Sequence, residues 1–439
     1  MKLNEQELQE RREIRKKRRM RNQIVAYSTV ILLTIVLAVG IVTGVGMITE
    51  NAQKQEETKQ AQQDMVENLL ASEETIEITE SAPPIVELTP EQKLDEIVNA
   101  GIEVMPLEDK VAGLFIVTPE AITGVSTAVK AGEGTQQALA KYAVGGIVYF
   151  SKNIQSEEQF REMIDNTTLY TKYPLFIAVD EEGGSVSRVA DAGIGIKHAP
   201  AQAIGEAGDT NSAYQAGVNI GGYLSDLGFN LDFAPVADLA TVENSVIGNR
   251  SYGSDAETVS GFVNAMMNGL EEQGVTACLK HFPGIGSSTK DTHDGLASTD
   301  RTAEEFAAEE FVVFKEGIDA GADMIMVSHM SAPSLAGDNT PGTMSETVVT
   351  DILREQLGFK GVIITDALNM SAISEYYSSE QAAILALKAG CDMLLMPENF
   401  EEAYNGVLQA VHNGTISEER INDSLRRIYR IKYADKLEQ

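Results

Sequence analysis

Short apolar runs rich in β-branched residues recur along this chain, mostly separated by segments whose apolar positions return every three or four residues. The runs are 114–117, 146–150, 175–179, 229–233, 275–279, 324–327, 361–364 and 393–396. Their length and composition predict buried strands. The segments between them predict helices, among them 156–170, 211–227, 256–273, 303–320, 345–357 and 382–389. Gly228, Gly274, Gly321, Gly361 and Gly390 stand just before the next run, where a glycine commonly ends a helix. Thr89-Pro90-Glu91-Gln92 reads as an N-cap, a proline in the first turn and a capping-box glutamine, so a folded body begins near residue 90. Eight strand–helix units over 90–439 predict a (β/α)8 TIM-type barrel, with a doubly wound open sheet as the competing α/β architecture.

A different pattern precedes this body. Residues 1–23 hold nine Lys/Arg, and residues 24–48 carry no charge. Twenty-five residues at about 1.5 Å each span roughly 37 Å, enough to cross a hydrocarbon core of about 30 Å. A cleavable signal peptide would have an apolar region of only about 7–15 residues, so an uncleaved transmembrane helix is expected. The basic tail would lie in the cytoplasm and the rest outside, making a single-pass protein of the cell membrane. No Cys near the span suggests a lipid anchor. Residues 49–89, rich in Glu, Gln, Ser and Thr, read as an acidic stalk.

The net charge of −32 disfavours partners with a phosphate backbone, so nucleic acid is excluded. Cys278 and Cys391 each sit in an apolar run and read as small buried hydrophobes. Nothing in the pattern fixes an oligomeric state.

Candidate chemistry collects where the strand runs end. Asp180-Glu181-Glu182, Asp232, Asp238, Lys280-His281, Ser328-His329, Asp366 and Glu398 all lie there. In a barrel those ends share one rim, where active sites are built. Lys280-His281-Phe282-Pro283-Gly284-Ile285-Gly286 leads through a polar loop to Asp291-Thr292-His293. An imidazole, with an ordinary pKa of about 6.5, suits proton transfer near neutrality, and an Asp two residues away could fix its tautomer. The glycines predict a loop that swings. His281, His293 and His329 stand on separate loops without dense metal-ligand spacing, so no metal and no cofactor is expected.

Taken together, these motifs resemble the single-barrel β-N-acetylhexosaminidases of glycoside hydrolase family 3, over roughly residues 95–435. The resemblance rests on Lys280–Gly286 with Asp291–His293, Asp180–Gly184 with Arg188, Asn230–Asp238, Gly248–Gly253, and Ile364–Met370. It implies retaining hydrolysis of a terminal β-linked N-acetylglucosamine, so the expected partner is an amino-sugar glycan. Asp366 matches the family's nucleophile. His293 matches the proton donor and acceptor, oriented by Asp291. Asp180, Arg188, Arg250, Lys280 and His281 match sugar-binding positions. A β-glucosidase, a phosphorylase of the same family and an inactive glycan-binding protein are the alternatives. Three positions depart from the family pattern: Ile285, where His or another polar residue is frequent; Ser185, where Arg is; and Ala367, where a second Asp often follows the nucleophile.

Overall fold

A computed structural model of the protein describes residues 88–434. The basic tail, the apolar span 24–48 and nearly all of the stalk lie outside the described residues. Among the described residues no helix is long and apolar enough to cross a membrane.

All eight predicted runs form strands of one parallel sheet. They are β1 (Phe115–Val117), β2 (Gly146–Val148), β3 (Phe176–Val179), β6 (Leu231–Asp232), β7 (Thr276–Phe282), β8 (Met324–Val327), β9 (Val362–Thr365) and β10 (Leu394–Leu395). Their order is β10-β1-β2-β3-β6-β7-β8-β9. A parallel bridge between Ile364 and Met393 brings β9 back to β10, so the sheet closes on itself as a barrel and not as an open doubly wound sheet. Apart from half-buried Thr276 the residues of these strands are buried, because side chains fill the inside and helices cover the outside. Both cysteines are free and buried.

The helices follow their predicted faces. In Thr210–Leu227 the buried positions Ala213, Ala216, Gly217, Ile220, Gly221, Leu224 and Leu227 form one stripe, with Gly217 and Gly221 seated on the Ala256–Glu272 helix. The Pro90–Glu103 helix carries the full Thr89/Gln92 capping box. Gly228, Gly274, Gly321 and Gly390 have positive φ, as helix-ending glycines should. Gly361 does not share that role. It opens β9 against β8, where a Cβ would come within 2.3 Å of the Asp323 carbonyl, and Gly358 makes the left-handed turn instead.

Three local features depart from the expected pattern. The antiparallel pair β4 (Glu181–Gly183) and β5 (Val186–Ser187) fills what reads as loop. The segment 347–356 winds as a wide π-helix. The segment 303–320 breaks at Glu309 into Ala303–Ala308 and Glu310–Asp319.

Candidate active site

Strand β7 supplies two consecutive side chains to the rim. In a regular strand Lys280 and His281 would face opposite sides. Pairing with β8 runs Lys280↔Met326 and then Phe282↔Val327, so His281 is an extra residue in a bulge. Such an irregularity re-aims side chains, and both polar groups turn to the site while Phe282 packs outward on Phe311 and Phe314.

Lys280, 2% exposed, lies 2.7 Å from both Asp180 Oδ1 and Glu182 Oε1. Arg250 donates two hydrogen bonds to Glu182, from Nε at 2.8 Å and Nη2 at 2.7 Å. Burial would lower the Lys280 pKa, but the two carboxylates outweigh it and hold the ammonium charged. Burial would likewise raise the Glu182 carboxyl, yet Lys280 and Arg250 bring it down to about 2. Asp180 keeps one edge toward the opening, beside charges that fix it for hydrogen bonding to a polar ligand.

This cluster makes stability acid-sensitive. Because the folded Glu182 carboxyl titrates lower than in the unfolded chain, its contribution is complete above about pH 4.5 and is lost as pH falls toward 2. Glu182→Gln should cost about 3 kcal/mol in urea unfolding at neutral pH, since it leaves buried cations underpaired. It should also flatten the loss of stability between pH 4.5 and 2. An unchanged acid limb in the variant would refute this assignment.

His281 donates from its backbone N–H to Asp238 Oδ2 at 3.1 Å, and its Nδ1 lies 2.7 Å from the same oxygen. Asp238 is fully buried, and its Oδ1 accepts the Ile285 N–H at 2.7 Å. One carboxylate therefore orients the His281 ring and also anchors the loop that follows. Asp232, also buried, accepts the Glu181 N–H, and burial pushes its carboxyl well above the ordinary range.

Asp366 stands at the C-terminal tip of β9, with its N–H donated to the Val327 carbonyl. Its side chain is partly buried and accepts the Ala367 N–H at 2.7 Å. Burial would raise its pKa, but His329, His281, the Ala367 N–H and Lys280 outweigh it and keep the carboxyl below its usual range. His329 is buried, which lowers its pKa. Its Nε2 donates to the Ala367 carbonyl, and its Nδ1 lies beside the Thr343 hydroxyl, both at 2.9 Å.

The Asp291–His293 pair sits on the loop after β7. Asp291 Oδ1 accepts the His293 N–H at 2.8 Å and lies 2.7 Å from its Nδ1. Burial would raise the Asp291 carboxyl, but the His293 N–H and ring outweigh it, leaving it below the ordinary range. The His293 side chain is 69% exposed, and its Nε2 has no partner among the described residues. The short turn Thr292–Asp294 packs against the Ser371–Ser374 helix, just past Asp366, and His293 is near enough to His329 to depress its pKa. The pair and Asp366 thus share one rim.

Arg188 lies apart from these charges. Its guanidinium lies over the Phe150 ring, 5.8 Å from the centroid, and its backbone N–H donates to the Asp180 carbonyl, while Nε has no partner among the described residues. Ile285 belongs to a small apolar cluster with Val236, Ile247 and Met330. Ser185 is exposed near Asn249. The loop root is pinned, because Ile285 is tied to Asp238, Gly286 to Ser245 and Ser287 to Thr299. The expected swing from Gly284 is therefore confined to the stretch beyond Ser288. The sequence places Glu182, Asp238 and His329 at strand ends but gives none of them a role. The Lys280-His281 and Asp366 motifs name one side of each contact only.

Residues 106–431 match the family model described as the glycosyl hydrolase family 3 N-terminal domain. A β-hexosaminidase of Chromobacterium violaceum is 36% identical over 277 residues, covering 62% of this chain and 76% of that protein. One from Nitrosomonas eutropha is 35% identical over 273 residues, covering 60% and 77%. A family 3 β-N-acetylglucosaminidase from Paenibacillus sp. str. FPU-7 has a similar structure, with TM-score 0.72 and 32% identity. The likeness covers 76% of this chain and 64% of the Paenibacillus chain. A family 3 glycosyl hydrolase from Mycobacterium smegmatis gives TM-score 0.66 at 28% identity, covering 75% and 98%. With its barrel closed and three quarters of its length matched, the chain belongs to glycosyl hydrolase family 3.

Proposed function

We propose that the protein is a retaining exo-β-N-acetylglucosaminidase that removes terminal β-linked N-acetylglucosamine from cell-wall-derived or related glycans. Asp366 attacks the anomeric carbon and forms a covalent glycosyl ester. His293, its Nδ1–H held toward Asp291, protonates the leaving oxygen from Nε2 and then takes a proton from the attacking water. Asp180, Arg188, Arg250, Lys280 and His281 hold the sugar hydroxyls. The protein is anchored by residues 24–48, with the barrel outside the cytoplasm.

The observation that carries this reading is the packing of the Thr292–Asp294 turn on the segment just after Asp366. It supports a proton donor and a carboxylate held below its usual pKa acting on the same sugar. The relatives' names, β-hexosaminidase and β-N-acetylglucosaminidase, support the choice of sugar.

The test is turnover of a panel of aryl β-glycosides by the full-length protein. Cleavage of the β-N-acetylglucosaminide in strong preference to the β-glucoside is expected, and the reverse preference would overturn the assignment. An imidazole acid/base repels phosphate less than a carboxylate would, which favours a phosphorylase as the second reading. Sugar 1-phosphate as the main product in phosphate buffer would select it, and free sugar would exclude it.

A further inference from the structure

Beneath the root of the His293 loop lies a carboxyl that the chemistry above does not use. Glu310 is 1% exposed at the start of the Glu310–Asp319 helix. Gly284 has φ of 128°, and a Cβ there would come within 2.6 Å of Glu310 Cγ, so the glutamate side chain lies flat on that glycine. Two residues before Gly284 and one after Glu310, Phe282 stacks on Phe311 at 5.7 Å. Strand end and helix start thus pack together through an aromatic contact, with a lone carboxyl beside it.

Packing alone does not call for that carboxyl. A leucine or methionine would fill similar space without the cost of burying a polar group. Arg301 Nε stands 3.0 Å from Glu310 Oε1 but off the line of a hydrogen bond. Among the described residues neither Glu310 side-chain oxygen has a well-aligned donor. Glu310 follows directly on the break at Glu309. On the far side of the loop root, Asp238 holds the Ile285 N–H. The groups that set the charge of Glu310 are therefore Arg301, its own backbone N–H, Glu309 and Asp238. Burial, reinforced by Glu309 and Asp238 and opposed by Arg301, pushes its carboxyl up to about 7.

We propose that Glu310 is a positioning residue for the loop bearing Asp291 and His293, seating the Gly284–Ile285 root when its carboxyl is neutral and loosening it when ionised. An ionised Glu310 has to draw on Arg301 for a donor and repels Asp238, the group that ties down Ile285. The linkage sign agrees. A carboxyl titrating higher in the folded chain stabilises below its unfolded value near 4.5, and that stabilisation is lost as pH rises through about 7. The inference bears on catalysis only through the proposed role of His293, so its primary test uses no substrate.

That test is amide hydrogen exchange over residues 284–290 of the full-length protein, corrected for intrinsic exchange. In the parent protein protection should fall between about pH 4.5 and 7, by up to about tenfold per pH unit, the limit for one linked proton, and level off above neutrality. Glu310→Gln should abolish that dependence, and Arg301→Gln should move it to higher pH, because the carboxylate loses its cation. A flat profile in the parent protein, or an undiminished slope in Glu310→Gln, overturns the proposal. Should Glu310→Gln fail to fold, an Arg301→Gln profile that does not move overturns it equally. A kinetic readout then separates positioning from general damage. Glu310→Gln should change the pH profile for substrates with poor leaving groups and leave that for activated aryl glycosides nearly unchanged. Equal changes for both would point to a merely structural role.

Discussion

Asp366→Ala is expected to abolish turnover, lowering kcat/KM on an aryl β-N-acetylglucosaminide by roughly 10^4-fold or more, as loss of a catalytic nucleophile does. The fold should survive, since among the described residues the side chain's one hydrogen bond is to the neighbouring Ala367 N–H. Two nearby imidazoles, that N–H and Lys280 keep the carboxyl ionised below the ordinary carboxylate range. The parent enzyme's acid limb, where attributable to this group, should accordingly lie below the pKa of a free aspartate. Azide is small enough to enter the vacated space. It should restore turnover of an activated substrate and yield the glycosyl azide of inverted configuration, because one displacement then replaces two. Steady-state rates and NMR of the product check both points. A variant keeping more than about one per cent of activity without azide would remove Asp366 from the nucleophile's role.

His293→Ala should divide substrates by leaving group. For a poorly stabilised alcohol the departing oxygen needs a proton, and losing the donor should cost about 10^2- to 10^4-fold in kcat/KM. For a dinitrophenolate, which leaves without protonation, the glycosylation step should lose less than about tenfold. Asp291→Asn should follow the same pattern more weakly. It keeps the backbone contact that shapes the turn but removes the charge facing the His293 ring. A plot of log(kcat/KM) against leaving-group pKa, steeper for both variants than for the parent, is the expected measurement. Parallel lines would mean that the imidazole is not the acid.

The barrel was legible because each strand is an apolar run closed off by local signals. Helix-ending glycines and the Thr89/Gln92 cap mark boundaries without help from distant residues. The gathering of Asp180, Lys280, His281 and Asp366 on one rim followed from the architecture, since strand C-termini in a barrel point the same way. The Glu182 pairing with Lys280 and Arg250 was hidden, because its partners lie 98 and 68 residues away and nothing near Glu182 distinguishes it from Glu181. Glu181 in fact turns away to cap Val189 and Ala190, where its pKa is raised by burial. The β7 bulge was equally invisible, as a period-two reading sends Lys280 and His281 to opposite faces. Glycines suggested a loop free from Gly284 onward, but Asp238, Ser245 and Thr299 hold its root. Glycine signals what the backbone permits, while tertiary hydrogen bonds decide what moves.

The central claim is that Asp366 and His293 act across a single sugar ring. It is tested most directly by a crystal structure of the full-length protein carrying a fluorinated β-N-acetylglucosaminide whose deglycosylation is slow. The prediction is an ester bond from the anomeric carbon to an Asp366 carboxylate oxygen, with His293 Nε2 within about 3 Å of the position for the incoming water. An adduct on any other side chain, or an imidazole still remote from the anomeric centre with the sugar in place, would contradict it.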